Sequence, residues 1–401
     1  MTCRICRAGT EPFLDLGASP PANSLKRSPL DEEQAYPLVL EWCQVCGNIQ
    51  LRDTLAPDDL YTKYLYVTPT SSALSRHYEN LVAFLAQSGY LTASSSVVEI
   101  GSNVGHFLAH LEPQVRRVLG VDPAQEIASD ATRHGIPTVP DFFTAELARE
   151  LRATHGPADV VVARHCLAHN PDPHVMVAGA RALLASDGFL VIENAYVVDT
   201  VVNTEFDQVY HEHMFYFSIR SIRRLLSQHG LHLIDAMLAP VHGGSIVFVA
   251  SPHRTLPSAQ LQMIERRESE VLTPAGLDSF SRRAWAVRDA LRDLVASLKA
   301  GSGTIHTYGA SAKGNTLLNF VGLSSSQIDY CVDSTPAKIG MFLPGSNVEV
   351  ISEESGHRNP PDHYLLTAWN YEREIVEKVR RSGNRKSRFI VPIPEVRISS
   401  S

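Results

Sequence analysis

Four cysteines near the N-terminus constrain the fold of this chain more than any other feature. Cys3 and Cys6 form one CxxC pair, and Cys43 and Cys46 form a second pair. Two such pairs bring four thiolates to one ion in the tetrahedral arrangement that Zn²⁺ prefers. Because all four positions are cysteine, no open position remains for water or substrate. The pattern therefore predicts a structural zinc site, with a redox or disulfide pair as the alternative.

The residues between the two pairs predict a long excursion. Within Glu11 to Glu41, the stretches Ser19 to Asn23 and Lys26 to Pro29 are rich in proline and small polar residues, which is typical of turns. A module of about 60 residues has little core of its own. Metal binding is therefore expected to supply much of its folding free energy.

A glycine turn follows a predicted strand in the middle of the chain. Ser96 to Ser102 is an apolar strand that ends in an acid and a glycine, and a helix begins at His106. Glycines at such a turn let the backbone approach a ligand closely, and an acid after the next strand can accept both ribose hydroxyl protons. The predicted cofactor-binding residues are Glu99, Gly101, Ser102, Asn103, Gly105 and Asp122.

Two further predicted strands, Asp159 to Ala163 and Phe189 to Glu193, alternate with helical stretches and predict a doubly wound sheet. The turn reads Glu-x-Gly-x-x-x-Gly, unlike the Gly-x-Gly-x-x-Gly of nicotinamide enzymes. This pattern resembles the class I S-adenosylmethionine methyltransferases.

Histidine-rich segments follow the last two of these strands, at the sheet edge where ligands bind in open parallel sheets. One segment carries His165 and His169, and the other reads Tyr210-His-Glu-His213. An imidazole that titrates near neutral pH can remove a proton from carbon beside a ketone, while a second polar group stabilises the enolate oxygen. Hydrogen-bonded structural histidines are one alternative. Another is a metal site, because His211 and His213 would share one face of an extended chain and His169 could be a third ligand.

The C-terminal third predicts a second glycine-rich turn. A long amphipathic helix from about Leu261 to Leu298, interrupted near Pro274, precedes a strand at Thr304 to Tyr308. The turn that follows could hold a phosphate oxygen at a helix start, with Lys313 adding charge. Asn315 replaces part of the P-loop pattern, which disfavours nucleotide hydrolysis. Strands at Ile328 to Val332 and Tyr364 to Thr367 complete a smaller Rossmann-like unit.

The overall charge narrows the set of partners. Lys and Arg number 36 against 43 Asp and Glu, for a formal net charge of -7. This balance argues against general affinity for nucleic acid or anionic membranes. The sequence shows no apolar run long enough for a membrane span and no signal peptide, so a cytoplasmic location is expected.

Taken in order, these features resemble the sugar C-methyltransferases that act on nucleotide-linked keto-deoxysugars. Besides the cysteine pairs, the elements that carry the resemblance are Tyr64-Leu-Tyr66 leading to His77, Glu99 to Gly105, Ala168-His169, Phe206 to His213, His242-Gly-Gly, Gly309 to Thr316, Val332 to Gly340, Pro344-Gly345 and Thr367 to Asn370. The resemblance implies an α/β protein with an N-terminal zinc-binding module (1–67), a central class I methyltransferase Rossmann-like domain (68–253) and a C-terminal second Rossmann-like domain (254–401).

The resemblance also implies roles for individual residues. His213 matches the general base, and Tyr210, Glu212, His169 and Tyr66 match residues that line the sugar and assist the base. Cys3, Cys6, Cys43 and Cys46 match zinc ligands, Gly101 and Asp122 match the S-adenosylmethionine site, and His242, Lys313 and Asn315 are assigned to the nucleotide-sugar. Val104 and His165 depart from the family, which usually has Asp and Asn there.

The implied reaction transfers a methyl group from S-adenosylmethionine to C3 of a nucleotide-diphosphate 4-keto-deoxysugar, with thymidine as the expected nucleoside. A monomeric enzyme is expected. Two alternatives stay open. The acceptor could be oxygen or nitrogen, or the chain could be a non-methylating, sugar-binding or epimerase-like descendant.

Overall fold

A four-stranded antiparallel sheet forms the N-terminal unit. The computed structural model describes residues 1–55 and 72–399. The strands of this sheet are β1 (Glu11–Ser19), β2 (Tyr36–Trp42), β3 (Ile49–Leu51) and β9 (Phe215–Tyr216), in the order β1-β2-β3-β9. The fourth strand thus comes from far along the chain, directly after the predicted catalytic segment.

The predicted excursion between the cysteine pairs contains more regular structure than expected. Its two turn-rich stretches lie between β1 and β2, apart from Ser19, which is the last residue of β1, and the flanking residues form those two strands. Leu14 and Leu16 on β1 are buried at a spacing of two residues, which is the pattern of a half-buried strand. On β2 every residue from 38 to 42 is buried, so alternation does not mark that strand.

The central unit is a seven-stranded sheet with helices on both faces. Its strands are β4 (Ser96–Ile100), β5 (Arg117–Val121), β6 (Thr138–Val139), β7 (Ala158–Arg164), β8 (Leu184–Ala195), β10 (His232–Ala239) and β11 (Ser245–Ser251), in the order β10-β11-β8-β7-β4-β5-β6. Neighbours from β6 to β8 are parallel, and β11 is antiparallel to both β8 and β10. The predicted doubly wound sheet is confirmed.

The helices of the central unit account for the apolar composition of its strands. They are α1 (Ser72–Gln87), α2 (His106–Leu111), α3 (Gln125–Arg133), α4 (Ala145–His155), α5 (Pro173–Leu183), α6 (Val197–Val202) and α7 (Ile219–Ser227). Val160 and Val162 pack into one core, whereas Val161 and Ala163 pack into another. Strands that bury both faces read as continuous apolar runs, as β7 does.

The C-terminal unit is a six-stranded sheet. Its strands are β12 (Ile305–Tyr308), β13 (Tyr330–Asp333), β14 (Val350–Ser352), β15 (His363–Leu366), β16 (Arg388–Val391) and β17 (Arg397–Ser399), in the order β14-β13-β12-β15-β16-β17, with only the β16–β17 pair antiparallel. The helices that follow the central unit are α8 (Ala259–Val271), α9 (Pro274–Ala300), α10 (Ala312–Val321), α11 (Glu353–Arg358) and α12 (Glu372–Arg381). The α/β fold class predicted from the sequence is confirmed.

The predicted helix interruption is also confirmed. Helix α8 ends at Val271, and Thr273 caps α9 by accepting a hydrogen bond from the Gly276 N–H, with Pro274 in the first turn. Within the described ranges, no helix combines the length and apolar character needed to cross a bilayer.

We keep the boundaries 1–67, 68–253 and 254–401 as a proposal. The first boundary lies outside the described residues, and the second falls between β11 and α8. Helix α8 packs back on the central unit, because Ser258 N–H donates to the Ile234 carbonyl and Glu268 accepts from the Ile219 N–H.

Candidate active site

The four N-terminal cysteines converge as predicted. Their Sγ atoms all lie within 4.8 Å of one another, with 3.5 Å between Cys3 and Cys46 and 3.5 Å between Cys6 and Cys43. Each pair sits on a tight turn that is closed by a left-handed residue, Arg7 in one and Gly47 in the other. An all-sulfur donor set of four fits a structural Zn²⁺ and leaves no open position.

The alternative histidine metal site is not formed. His211 and Glu212 lie in a turn, so the extended geometry that would place His211 and His213 on one face is absent there. The His211 ring contacts Tyr36 instead. Within residues 1–55 and 72–399, the cysteine cluster is the group of side chains that could hold a metal.

The predicted cofactor turn has the backbone geometry that a closely approaching ligand requires. Gly101, Asn103 and Gly105 have φ angles of 68°, 49° and 77°. A Cβ atom on Gly105 would come within 2.9 Å of Ile136. The Asp122 carboxylate ties the turn to the end of β5, since it accepts hydrogen bonds from Asn103 N–H at 2.8 Å and Ala124 N–H at 3.0 Å. We keep the assignment of this turn and of Asp122 to S-adenosylmethionine as a proposal.

Two predicted cofactor residues face the protein interior. Glu99 is fully buried and accepts a hydrogen bond from Arg164 Nε at 2.8 Å, while burial raises its pKa to about 7. Ser102 is also buried, and a Cβ atom on Gly120 would lie 2.4 Å from its hydroxyl. Both residues therefore support the turn through its packing.

Tyr210 and His213 form a hydrogen-bonded pair next to β9. The Tyr210 Oη atom lies 2.6 Å from His213 Nε2, and His213 Nδ1 lies 3.0 Å from the carbonyl oxygen of Gln208. A carbonyl only accepts, so Nδ1 carries the hydrogen and Nε2 accepts from the tyrosine. Burial, together with the neighbouring His169, lowers the pKa of His213 well below its usual range. The ring is therefore neutral near pH 7 and has its Nε2 lone pair as an acceptor, but it is a weaker base than the near-neutral imidazole that the sequence predicted.

His169 lies beside this pair. Its ring centroid is 5.0 Å from that of His213 in an edge-on arrangement. Burial, with a contribution from His165, lowers the pKa of His169 to about 4. Tyr66, the remaining predicted catalytic tyrosine, lies outside the described residues.

Glu212 is held by a residue that the sequence did not single out. Both of its carboxylate oxygens lie 2.8 Å from Asn23 Nδ2, in the turn between β1 and β2. Burial raises the pKa of Glu212 to about 7, although the Asn23 amide works against that shift. Asn23 was predicted only as part of a turn, and nothing local distinguishes it from the other polar turn residues.

Of the three predicted nucleotide-sugar residues, Lys313 and His242 are neighbours, whereas Asn315 contacts the N-terminal unit. Lys313 Nζ donates to the His242 carbonyl at 3.2 Å and lies 5.4 Å from the Trp369 ring centroid. A cavity of about 330 Å³ is lined by His242, Glu205 and Trp369 among others. Asn315 is buried, and its amide donates to the Ala22 carbonyl at 2.6 Å, next to Asn23.

Buried acids surround this cavity and the base of the cofactor turn. Trp369 Nε1 donates to Asp207 at 2.6 Å, and burial raises the pKa of Glu205 to about 7 despite Lys313 nearby. Burial also acts to raise the pKa of Glu193, but contacts at 3.6 Å with His165 and 2.6 Å with His77 outweigh it and hold that pKa well below its usual range. The local sequence around Asp207, Glu205 and Glu193 predicts no role for these three acids.

Comparison with known proteins adds family information for the full length of the chain. The chain is 38% identical to C-methyltransferase NovU of Streptomyces niveus over 408 residues, covering 100% of this chain and 97% of that protein. Three family models match in sequence order: "Putative zinc binding domain" at residues 3–61, "Methyltransferase domain" at 72–236 and "C-methyltransferase C-terminal domain" at 240–394.

Two solved methyltransferase structures are similar to part of the chain. Magnesium protoporphyrin IX methyltransferase of Synechocystis PCC 6803, with bound SAM, shares 15% identity over 47% of this chain and 88% of its own, with a TM-score of 0.35. The 1,6-didemethyltoxoflavin-N1-methyltransferase of Burkholderia thailandensis shares 23% identity over 45% and 77%, with a TM-score of 0.32.

Proposed function

The chain belongs to the S-adenosylmethionine-dependent C-methyltransferases, and from that premise we propose that its acceptor is C3 of a nucleotide-diphosphate 4-keto-deoxysugar, with thymidine as the nucleoside. The sequence resemblance and the Tyr210–His213 pair support this proposal. A role in making a branched deoxysugar for a natural product follows from it. We also propose a cytoplasmic location, since the six cysteines carry no disulfide and a reducing compartment suits them.

The chemistry requires a base beside a ketone. S-adenosylmethionine, when bound, supplies an electrophilic methyl group, so the acceptor carbon needs carbanion character. In our proposal the C3–H bond breaks, the proton goes to His213 Nε2, and the electron pair moves into the enolate. The neutral state of His213 in the structure is what this step needs.

Tyr210 and His169 stabilise the enolate in this proposal. Once Nε2 has taken the proton it no longer accepts from Tyr210, whose hydroxyl can then donate to the enolate oxygen. His169, whose ring meets that of His213, adds a second polar group beside the reacting atoms. Glu212, Asn23 and Tyr66 are assigned to holding the sugar.

In this scheme S-adenosylmethionine and the nucleotide-diphosphate sugar are held by different sets of residues. Gly101, Asn103, Gly105 and the Asp122 carboxylate hold the cofactor, supported from inside by Glu99 and Ser102. His242 lines the cavity, and Lys313, which donates to the His242 carbonyl, is placed beside it; in this scheme both residues serve the diphosphate sugar. Asn315 acts through the Ala22 carbonyl, because that bond fixes the turn that presents Asn23 to Glu212.

The decisive experiment follows the C3 proton. The wild-type enzyme, given S-adenosylmethionine and a panel of thymidine-diphosphate 4-keto-deoxysugars, should add one methylene in mass and exchange the C3 proton with deuterated solvent. His213→Ala should bind the cofactor normally but lose both signals by on the order of 10²–10⁴-fold, because the base is gone. His155→Ala, an exposed histidine at the end of α4, is the control.

Each alternative has its own signature. Wild-type exchange in His213→Ala would refute the base assignment. Methylation that leaves the C3 proton in place would indicate an oxygen or nitrogen acceptor. Absence of S-adenosylhomocysteine release with every sugar would favour a non-methylating descendant.

A further inference from the structure

Arg4 connects the first cysteine pair to the catalytic segment. It lies between Cys3 and Cys6, and its Nη2 atom donates to the carbonyl oxygens of Leu51 at 2.7 Å and Met214 at 3.2 Å. Its guanidinium carbon is 4.9 Å from the Phe215 ring centroid. The turn that presents two of the zinc ligands therefore contacts the backbone directly after His213.

The Met214 peptide is held from two sides. Its N–H donates to the Ala168 carbonyl at 2.9 Å, and its carbonyl accepts from the Leu51 N–H at 3.0 Å as well as from Arg4. Ala168 directly precedes His169, and Met214 directly follows His213. One backbone hydrogen bond thus joins the loops that carry the two histidines.

The N-terminal sheet continues this connection. Strand β9, which starts one residue after Met214, pairs with β3 through Gln50 and Phe215. The Gln50 side chain accepts from the Arg4 N–H at 2.9 Å. Arg4 is therefore hydrogen-bonded both to β3 and to the residue that precedes β9. A displacement of the first cysteine turn would for this reason also displace the backbone beside His213.

We infer that Arg4 is a positioning residue for His213, through which the zinc-binding turn sets the placement of the catalytic base. This inference rests on the proposed role of His213. A charged donor gives stronger hydrogen bonds than a neutral one, so the bond to the Met214 carbonyl is well suited to fix its position. Small displacements at a reacting centre are costly, since about 1 Å of misplacement can cost on the order of 10²-fold in rate.

The test replaces Arg4 with an uncharged side chain of similar length. Arg4→Met should lower kcat by on the order of 10–100-fold, with a parallel fall in C3 proton exchange. The KM for the sugar and the Kd for S-adenosylmethionine should stay within about threefold, because neither ligand touches Arg4 in this scheme. Arg4→Lys, which keeps a charged donor, should recover part of the loss.

A matched control lies in the same turn. Arg7→Met makes the same chemical change at an exposed position, and it retains the Arg7 N–H bond to the Cys3 carbonyl. It should leave kcat, KM and zinc content at wild-type values. Zinc content of Arg4→Met should likewise remain at one ion per chain, since no ligand is altered.

A readout that needs no turnover separates this inference from the proposed function. Nitrogen-15 NMR of protein with labelled histidine reports which tautomer His213 adopts. The signals of His213 are identified because they are absent from the spectrum of His213→Ala. Arg4→Met should shift these signals while Arg7→Met leaves them unchanged. A shift in an enzyme that shows no C3 exchange with any sugar would keep the positioning role and reject the proposed reaction.

Other outcomes would overturn the inference. An Arg4→Met enzyme with wild-type kcat, exchange and histidine signals would show that Arg4 does not position His213. Parallel losses of zinc, cofactor binding and thermal stability would show a purely structural role. If Arg4→Met does not fold, the same measurements are made on Arg4→Lys, for which a lowered kcat with an unchanged KM would support the inference. An Arg4→Lys enzyme with unchanged kcat and histidine signals would reject it.

Discussion

His213 can accept a proton because two neighbours fix its hydrogen positions. The Gln208 carbonyl requires a hydrogen on Nδ1, and Tyr210 donates to Nε2. Burial keeps the ring neutral by lowering its pKa. A solvated histidine would interconvert between tautomers and be partly charged at neutral pH. The sequence predicts that a histidine at position 213 acts as the base, but the protonation state of that histidine depends on the packing around it.

Glu212 makes a testable contribution to stability as pH changes. Burial raises its pKa from 4.5 to about 7, so the folded protein holds a proton that the unfolded chain has released between those values. The stabilisation of the folded protein by this proton is complete below about pH 4.5 and is lost as pH rises through about 7. Glu212→Gln lacks this titration and can still accept from Asn23.

We therefore expect Glu212→Gln to gain stability relative to wild type between about pH 5 and pH 8, by at most about 3 kcal/mol. Urea unfolding across that range measures the difference. Glu79→Gln, at an exposed position on α1, should track wild type throughout. A flat difference for Glu212→Gln would mean that Glu212 is ionised in the folded protein below neutral pH.

At the scale of single elements, α7 depends on a carboxylate from α8. Glu268 is buried and accepts from the first N–H groups of α7, Ile219 at 2.8 Å and Arg220 at 3.2 Å. Ser218 and Ser221 satisfy further groups by a reciprocal capping box. Helix starts leave N–H groups without partners in the helix, so an acid there stabilises it.

Glu268→Ala should lower the free energy of unfolding by about 1–3 kcal/mol, because the buried Ile219 N–H and the partly buried Arg220 N–H lose their acceptor. Urea unfolding near pH 8 measures the change. Glu270→Ala, two residues along the same helix but exposed, serves as the control and should differ from wild type by at most a few tenths of a kcal/mol. Equal stability of the two variants would show that water replaces Glu268 at the helix start.

At the scale of the molecule, the segment from Glu205 to Tyr216 is where the three units meet. Asn23 of the N-terminal unit binds Glu212, and Trp369 of the C-terminal unit binds Asp207. Thr316 donates to the Val209 carbonyl at 3.3 Å, and β9 completes the N-terminal sheet. The candidate catalytic pair therefore lies on a segment whose position depends on all three units.

Zinc removal tests this dependence. A strong chelator should release one zinc per chain, lower the thermal transition and abolish C3 exchange, because β9 loses the sheet to which it is paired. Cofactor binding should persist, since the Gly101 turn belongs to the central sheet. Added zinc should restore exchange. A zinc-free enzyme that keeps its wild-type transition and exchange rate would show that the metal site is dispensable.

Features that rest on short-range geometry could be predicted from the sequence alone. The CxxC spacing predicted the cysteine cluster, and the sequence predicted a glycine turn tied to Asp122, because a tight turn needs only a local backbone conformation and the glycine turn needs one βαβ unit. The assignment of that turn to the cofactor stays a prediction. The alternation of apolar strands and helices indicated both Rossmann-like units. The helix break at Pro274 followed from the missing N–H of proline.

Tertiary structure alone decided which side chains serve the site from a distance. Asn23 and Arg4 come from the N-terminal unit, and Trp369 comes from the C-terminal unit, yet all three contact the same short segment. Nothing in the local sequence marks Asn23 or Arg4, and Trp369 lies in an element that carries the resemblance but has no role that the sequence could assign, since the partners of all three are more than 150 residues away. The sequence by itself identified the four cysteines of the metal site and predicted the cofactor turn and the candidate base. The neutral state of that base and its placement required folding, because burial sets its pKa and three separate units hold its backbone.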